Sequence, residues 1–219
     1  MVEKRLLTDV DLFRALSPDA FDLVVAEAEA RSLRRGDVLF VEGEPAAELF
    51  VVEQGRIALA NRSIDGRESV VALMERGDLF GEMGLFDGQG RSAEARALES
   101  STVSAVPYAP LRGILHDRPE LLWGVVELLA RRLRAMDTAL ADSVFLDVTG
   151  RTAKRMLELA GSADEFQLPI TQEELAGLVG ASRERVNKAI SSFIRLGWIE
   201  QRDRRYRIAD RQQLARRAR

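Results

Sequence analysis

The sequence has 219 residues and no cysteine, which excludes disulfides, iron–sulfur clusters and metal sites built on thiolates. It has a single histidine, His116, so a metal-dependent enzyme with several histidine ligands is excluded as well. No stretch approaches the eighteen consecutive apolar residues of a membrane-spanning helix. The N-terminal residues lack the basic, apolar and small-residue regions of a signal peptide. We therefore expect a cytoplasmic protein with no metal and no membrane partner.

Charge is distributed unevenly along the chain, although the net charge is only −3. Residues 1–145 hold 17 basic and 25 acidic side chains, whereas residues 146–219 hold 15 basic and 10 acidic ones. This asymmetry indicates two domains with different partners, and the basic C-terminal part is the one suited to a polyanion. Charge alone leaves open an uneven surface that is merely solvated.

The segment from residue 33 to residue 106 has the pattern of strands and turns. Short apolar runs such as VLFVEGE and ELFVVEQGRIALA alternate with clusters of Gly, Asp and Ser, at the spacing of an antiparallel barrel or jelly roll. Asp65-Gly66 is the strongest hairpin signal. The Arg-Gly-Asp triplets at 35–37 and 76–78 each precede an apolar run and are predicted to be turns. A short helix that starts at Ser17-Pro18 is predicted before this segment.

Residues 119–145 change to a long helical pattern. Apolar side chains recur four and three residues apart, as in the a and d positions of a coiled coil. These residues are Leu122, Val126, Leu129, Leu133, Met136 and Leu140. A helix packed on its own domain would need a wider apolar stripe. We therefore predict that this helix forms the interface of a parallel homodimer and that FLDVTGR (145–151) ends it.

The basic segment TQEELAGLVGASRERVNKAI (171–190) predicts a helix-turn-helix. Thr171 and Glu174 have the spacing of a capping box, Gly180 supplies the turn, and Ser182 is the expected N-cap of the second helix. The exposed side of that helix is predicted to carry Arg183, Glu184, Asn187 and Lys188. Arg and Lys donate to guanine and Glu accepts from cytosine, so this side suits a major groove. A surface helix with a Glu184–Lys188 ion pair is the alternative.

The following segment, GWIEQRDRRYRIAD (197–210), favours the DNA-binding interpretation. It has the pattern of strand, turn and strand, with four arginines around the turn, Arg204 among them. Arginines at such a turn would contact phosphates whatever the base sequence. The C-terminal segments together predict a winged helix-turn-helix that binds double-stranded DNA.

The stretch FGEMGLFDGQGRSAEARA (80–97) combines a glycine-rich loop with an Arg-Ser pair. On a β-barrel, Arg91 would neutralise a phosphate, and Ser92 would add a short hydrogen bond. Glu82 follows Gly81, where the backbone can be approached closely, and would accept from a ribose hydroxyl. Taken alone, the stretch is compatible both with a ribose-phosphate cradle and with a surface Arg–Glu ion pair beside a loop.

The order of cradle, heptad helix and winged helix-turn-helix resembles that of the cyclic-AMP receptor protein family (the Crp/Fnr superfamily) of bacterial transcription regulators. The resemblance covers essentially the whole chain, through GDLFGEMGLF with RSA, ARRL, FLDVTGR and TQEELAGLVGASRERVNKAI. It implies an α+β fold in three parts. These are a cyclic-nucleotide-binding β-barrel or jelly roll (1–117), a long dimerisation helix with a hinge (118–146) and a winged helix-turn-helix (147–219).

The resemblance implies how the barrel would hold cyclic AMP. Gly81 and Glu82 would contact the ribose, and Arg91 and Ser92 would contact the cyclic phosphate. The base side of the barrel would be lined by Leu59, Val71 and Leu73. On the long helix, the cyclic-AMP-responsive members usually carry a Thr that contacts adenine, followed by a Ser that reaches across the dimer. The same positions here hold Met136 and Asp137.

The resemblance also implies the DNA site. Arg183, Glu184 and Lys188 would contact base edges in a palindromic site with half-sites close to TGTGA, and RNA polymerase would be a further partner. The chain would be a transcription regulator and not an enzyme. Two alternatives stay open: a regulator of the same fold that binds DNA without any nucleotide, and a cyclic-nucleotide-binding regulatory subunit of another protein.

Overall fold

The computed structural model describes residues 2–62, 68–203 and 205–219. The helices are α1 (Lys4–Asp9), α2 (Asp11–Arg14), α3 (Pro18–Ala26), α4 (Met83–Asp87), α5 (Tyr108–Asp117), α6 (Leu122–Phe145), α7 (Val148–Ala160), α8 (Gln172–Val179), α9 (Arg183–Arg195) and α10 (Arg211–Arg217), with a 3-10 turn at Pro119–Leu121. The strands are β1 (Glu29–Leu33), β2 (Val38–Phe40), β3 (Glu48–Gln54), β4 (Ile57–Arg62), β5 (Glu68–Met74), β6 (Leu79–Phe80), β7 (Glu94–Ala97), β8 (Ser101–Pro107), β9 (Glu165–Gln167), β10 (Ile199–Arg202) and β11 (Arg205–Ile208). The predicted hairpin turn at Asp65-Gly66 lies outside the described residues.

The chain divides into two compact units, residues 1–67 with 71–133 and residues 68–70 with 134–219. The division falls within α6, which runs without a break from Leu122 to Phe145. The three-part limits 1–117, 118–146 and 147–219 stay a prediction.

Two four-stranded sheets form the barrel of the first unit, in the orders β1-β8-β3-β6 and β2-β7-β4-β5. Because strand side chains alternate, Phe50 and Val52 of β3 enter the barrel core, whereas Leu49 and Val51 pack in the cluster formed with the helices. β1 begins four residues before residue 33, where the sequence pattern predicts the first strand. Its side chains are mostly exposed and give it little apolar periodicity.

The turns and caps of the first unit agree with the sequence. Ser17 accepts a hydrogen bond from the backbone N–H of Ala20 and so caps α3. Both Arg-Gly-Asp triplets form turns before strands. Gly36 and Gly77 have φ values of +88° and +92°, a left-handed conformation that glycine adopts without steric cost.

The apolar residues of the predicted seam form one line along α6. Leu122, Val126, Leu129, Leu133, Met136 and Leu140 are between 37% and 68% exposed in the single chain, and Val144 continues the line. Asp147 then caps α7 by accepting from the amide of Gly150 at 2.8 Å, so α6 ends within FLDVTGR as predicted. No helix within the described ranges is both long and apolar enough to cross a membrane.

The second unit packs α7, α8 and α9 with a three-stranded sheet of order β10-β11-β9. Met156, Leu175, Val186 and Phe193 are fully buried in it. Arg151 of FLDVTGR donates to the carbonyls of Leu146 and Val179, both at 2.8 Å. One guanidinium therefore joins the start of α7 to the end of α8.

Candidate functional site: a barrel pocket and an exposed helix face

A partly open pocket of the first unit has about 380 Å³ of empty space, part of it open to solvent. Of the residues that the sequence analysis proposed for a ligand, Leu59, Gly81, Glu82, Arg91 and Ser92 line it. The lining brings a cation, an anion and an apolar side chain to one opening of the barrel.

Arg91 is the buried cation of this pocket, only 8% exposed. Its guanidinium lies 4.2 Å from the ring centre of Phe40 and 5.2 Å from that of Phe50. Its backbone N–H donates to the carbonyl of Glu44 at 2.8 Å. Burial lowers the pKa of Arg91, yet a guanidinium stays protonated in proteins. Its Nε is buried and has no hydrogen-bond partner among the described residues.

Glu82 is the buried anion, 1% exposed. Its Oε1 accepts from Nη1 of Arg132, whose Nη2 donates to the carbonyl of Leu79. Its Oε2 is buried and, in the described part of the chain, accepts nothing. The pocket thus offers one N–H of a cation and one oxygen of a carboxylate, each without a partner.

Gly81 permits this arrangement. Its φ is +74°, and a Cβ atom at this position would lie 2.7 Å from Nη1 of Arg91 and 3.2 Å from the ring of Phe50. Ser92 is exposed at the rim, with its hydroxyl 3.5 Å from the sulfur of Met83. The pocket can therefore bind a group that carries both a negative charge, for Arg91, and a hydroxyl donor, for Glu82.

The structure does not bring Val71 and Leu73 to this pocket. Ala72 and Met74 of the same strand pack in the barrel core, so the alternation of β5 directs Val71 and Leu73 to the opposite face. Val71 is 57% exposed. Met136 and Asp137 are exposed on α6, within the other unit.

Arg132 is a pocket residue that the sequence analysis did not assign. The motif ARRL, which ends at Leu133, was the available signal, because it places a basic pair on the long helix. Neither charge nor periodicity distinguishes Arg132 from Arg131. The structure separates them: Arg131 pairs with Asp11 and Glu127, and Arg132 pairs with Glu82.

The helix-turn-helix of the second unit is defined by its caps. Thr171 and Glu174 form the predicted capping box, with hydrogen bonds of 3.2 and 2.6 Å. Gly180 adopts a φ of +65° at the end of α8. Ser182 accepts from the amide of Arg185 at 3.4 Å, so its hydroxyl caps α9.

The exposed face of α9 carries the residues proposed for base contacts. Arg183, Glu184 and Lys188 are exposed, as is Arg185, which the sequence analysis did not assign. Asn187 is only half-exposed, and its Oδ1 is buried without a partner within the described residues. Its position therefore differs from the fully exposed one that was predicted.

The positions around α9 separate these side chains. At about 100° per residue, Glu184 and Lys188 lie opposite the buried face of Val186, Ala189, Ile190 and Phe193. Arg183 and Asn187 fall on one flank of the exposed face, whereas Arg185 falls on the other. A helix that enters a groove with Glu184 and Lys188 foremost would therefore carry Arg183 and Arg185 on opposite sides.

The predicted wing is a hairpin of β10 and β11, in which Arg202 pairs with Arg205 across the strands. Both arginines are exposed. Arg207 instead lies close to Glu200 and Glu165, at 3.4 and 3.9 Å. Arg204 lies outside the described residues.

Comparison with known proteins matches a domain to each of the two regions. Residues 30–118 match the cyclic nucleotide-binding domain, and residues 150–217 match the Crp-like helix-turn-helix domain. The chain is 37% identical over 221 residues to a CRP-like cAMP-activated global transcriptional regulator of Mycobacterium tuberculosis, covering 98% of this chain and 99% of that protein. It is 34% identical over 159 residues to the cAMP-activated global transcriptional regulator CRP of Salmonella typhimurium, covering 69% and 76% of the two chains.

Two solved structures have the same architecture. The catabolite activator protein of Thermus thermophilus is 30% identical, with a TM-score of 0.53 over 95% of this chain and 98% of that one. FixK2 from Bradyrhizobium japonicum is 23% identical, with a TM-score of 0.78 over 86% and 96% of the two chains, and shows the shared fold alone. With both domain matches and a relative that spans nearly its whole length, the chain belongs to the Crp family of transcription regulators, with a cyclic nucleotide-binding domain followed by a Crp-like helix-turn-helix domain.

Proposed function

We propose that the protein is a homodimeric, sequence-specific transcription regulator of the cytoplasm, and that cyclic AMP bound in the barrel pocket modulates its affinity for DNA. The observation that carries the proposal is the pair of buried atoms without partners, Arg91 Nε and Glu82 Oε2. Each such group costs about 1–3 kcal/mol while it is unpaired. A cyclic nucleotide would pair both at once, because it has an anionic phosphate and a ribose hydroxyl.

In this proposal Arg91 and Ser92 bind the cyclic phosphate, and Gly81 and Glu82 bind the ribose. Leu59 lines the apolar part of the pocket beside the base. The choice of cyclic AMP among cyclic nucleotides is supported by the relatives in Mycobacterium tuberculosis and Salmonella typhimurium, which are both named as cAMP-activated.

In this proposal Arg132 connects the ligand site to the long helix α6. Its guanidinium lies on α6 and contacts Glu82, the carboxylate that would receive the ribose. A ribose hydroxyl that donates to Oε2 would add a partner to the carboxylate that Arg132 contacts, so ligand binding would reach α6 through this ion pair. A ligand shifts an equilibrium only through contacts that differ between the two states, and in this proposal the Glu82–Arg132 ion pair would be such a contact.

The line of exposed apolar residues on α6 would form a parallel dimer interface. To bind two adjacent half-sites, the two α9 helices of such a dimer would have to lie about one DNA turn, ~34 Å, apart, on a palindromic site with half-sites close to TGTGA. RNA polymerase would be the partner that converts binding into regulation. The proposal assigns the protein no catalytic activity.

On DNA, Arg183, Glu184 and Lys188 would contact base edges, with Asn187 beside Arg183. Ser182 would contribute by capping α9, which fixes the start of the helix that carries these side chains. Arg185 and the wing, with Arg202, Arg204 and Arg205, would contact phosphates. A lysine can make one contact where an arginine makes a bidentate one, so the Lys188 contact would be less selective than that of an arginine.

A second candidate function is DNA binding that needs no nucleotide. Met136 favours it, because an apolar side chain at this position of α6 strengthens a dimer seam without offering a hydrogen bond to a base. A third candidate, a regulatory subunit of another protein, would bind nucleotide and no DNA.

Calorimetric titration with cyclic AMP and cyclic GMP, followed by mobility shift on a palindromic duplex with and without each nucleotide, separates the three functions. The proposal expects nucleotide binding and tighter DNA binding in its presence. DNA binding with no nucleotide binding supports the second candidate. Nucleotide binding with no DNA binding supports the third.

A further inference from the structure

Tyr108, the first residue of α5, does not line the pocket but contacts Gly81, which does. It is 2% exposed, and its hydroxyl donates to the carbonyl of Gly81. Its backbone N–H donates to the carbonyl of Ala47 at 2.8 Å. Both ends of the residue are therefore fixed, one to the β3 side of the barrel and the other to the Gly81 turn.

The same Gly81 carbonyl fixes Arg91. Nη1 of Arg91 donates to the carbonyls of Gly81, at 2.9 Å, and of Glu48, at 2.8 Å. These two bonds use both hydrogens of Nη1, and the hydroxyl of Tyr108 lies 3.5 Å from the same nitrogen. Neither Nε nor Nη2 of Arg91 has a hydrogen bond to a described residue. The edge of a guanidinium formed by Nε and Nη2 is one that binds two phosphate oxygens side by side.

We propose that Tyr108 is a positioning residue for the ligand phosphate, which acts by holding the Gly81 carbonyl and, through it, the orientation of Arg91. This inference rests on the proposed function, because it takes the pocket as a cyclic-nucleotide site. The Tyr108 hydroxyl holds the Gly81 carbonyl, which accepts from Nη1 of Arg91. In this proposal the edge formed by Nε and Nη2 is thereby directed at the ligand phosphate.

The surroundings of the hydroxyl favour this role. Burial raises the pKa of Tyr108, so the hydroxyl remains a donor at neutral pH. A Cβ atom at Gly84 would lie 3.3 Å from this oxygen and 2.6 Å from Cβ of Ala46. The space around the hydroxyl is therefore closed on the side of α4.

The test is a double-mutant cycle in the full-length protein, with cyclic AMP titrated by calorimetry. Tyr108→Phe should raise the Kd by about two- to tenfold, which corresponds to the loss of one neutral hydrogen bond. A lysine has no guanidinium edge that can bind two phosphate oxygens side by side. Tyr108→Phe should therefore leave the Kd unchanged when it is introduced into the Arg91→Lys variant. Such a loss of the effect is the signature of two residues that act as one unit.

Tyr206→Phe is the matched control, since Tyr206 is the other tyrosine of the chain, is equally buried and belongs to the second unit. It should not change the Kd for cyclic AMP. An unchanged Kd in Tyr108→Phe overturns the inference. An equal loss in the wild-type and Arg91→Lys backgrounds also overturns it, because a purely structural role would produce that result. If the wild-type protein binds neither cyclic AMP nor cyclic GMP, the proposed function fails and the inference fails with it.

Discussion

The pocket of the first unit and the α9 face of the second unit use the same kinds of side chain in opposite environments. Arg91 and Glu82 are buried, and their partners Glu48 and Arg132 lie 43 and 50 positions away along the chain. Arg183 and Glu184 are exposed, and one capped helix fixes their positions. Charges are screened by salt when exposed and much less when buried. Ligand affinity should therefore depend on packing geometry, and DNA affinity on ionic strength.

The largest effect should come from the buried cation of the pocket. Arg91→Leu removes the guanidinium and would leave a bound phosphate desolvated and unpaired. The expected loss of cyclic AMP affinity is roughly 2–5 kcal/mol, measured by calorimetry at two salt concentrations. The loss should be nearly the same at both, because the site is buried.

Arg118→Leu is the control, because Arg118 is an exposed arginine of the same unit that pairs with Glu120. It should bind cyclic AMP like the wild type. If Arg91→Leu also binds like the wild type, the phosphate does not bind at Arg91. Ligand affinity would then not depend on this buried charge, and the contrast between the two regions would be wrong.

The next effect tests the exposed region. Arg183→Ala should relax specificity at one guanine by about 1–3 kcal/mol. Arg185→Ala should instead weaken all sequences alike and reduce the salt slope by about one unit, as expected for a lost phosphate contact. Neutralising Arg204 in the wing should also weaken all sequences alike. Competition between a palindromic and a random duplex, repeated over a salt series, measures each of these effects.

Equal losses on specific and random DNA for both Arg183→Ala and Arg185→Ala would contradict this division of contacts.

Footprinting tests whether the DNA site is two-fold symmetric. A protected region without a two-fold axis would argue against the parallel dimer, whichever arginines contact bases.

The contrast between the regions also explains how far the sequence could be interpreted. Ser182, Thr171 and Glu174 form contacts within three residues, so local pattern was enough to predict the helix-turn-helix. Arg91 and Glu82 could be proposed from a short loop motif, and the structure places both in the pocket lining. Arg132 was missed because its contact with Glu82 depends on how a distant helix packs. The resemblance assigned Val71 and Leu73 to the base side of the barrel by matching positions along the sequence. The face that a side chain takes is decided by the pleat of β5, which directs both residues away from the pocket.

A third effect concerns Asp147, the residue that caps the start of α7. The hydrogen bond from the amide of Gly150, together with the Arg217 guanidinium, holds the pKa of Asp147 below its usual value. Asp147→Ala should lower the free energy of unfolding of the second unit by about 0.5–2 kcal/mol. Asp147→Asn keeps a capping oxygen and should cost less. Urea unfolding followed by Trp198 fluorescence, in a variant that lacks Trp123, measures both.

The pH dependence of this effect has a definite sign. The folded pKa of Asp147 is lower than the unfolded one, so the charged cap stabilises the fold above the unfolded pKa of about 3.9. That contribution is lost as the pH falls through the folded pKa. The difference between wild type and Asp147→Asn should therefore be largest near neutral pH and vanish in acid. A difference that grows in acid would mean that Asp147 is not the stabilised carboxylate.

The smallest effect links the two regions through α6. Met136 lies on the apolar line of this helix, is 68% exposed in the single chain and offers no useful hydrogen bond to a base. We expect measurable DNA binding without nucleotide, a modest gain with cyclic AMP and weak discrimination against cyclic GMP. Met136→Thr should increase both the dependence on ligand and the preference for adenine by one neutral hydrogen bond, about 0.5–1.5 kcal/mol or up to tenfold. Fluorescence anisotropy of a labelled duplex, titrated with each nucleotide, measures this.

Leu140→Thr is the matched control, because it makes the same apolar line more polar one helical turn further along α6. If a weaker seam alone creates dependence on ligand, Leu140→Thr should reproduce that dependence without any preference for adenine. If a hydrogen bond to the base is responsible for the preference, only Met136→Thr should separate cyclic AMP from cyclic GMP. A wild-type protein that is silent without cyclic AMP and ignores cyclic GMP would contradict this interpretation of Met136. Asp137, the neighbouring acceptor, would then be the residue to vary, because a carboxylate there could contact the adenine amino group itself.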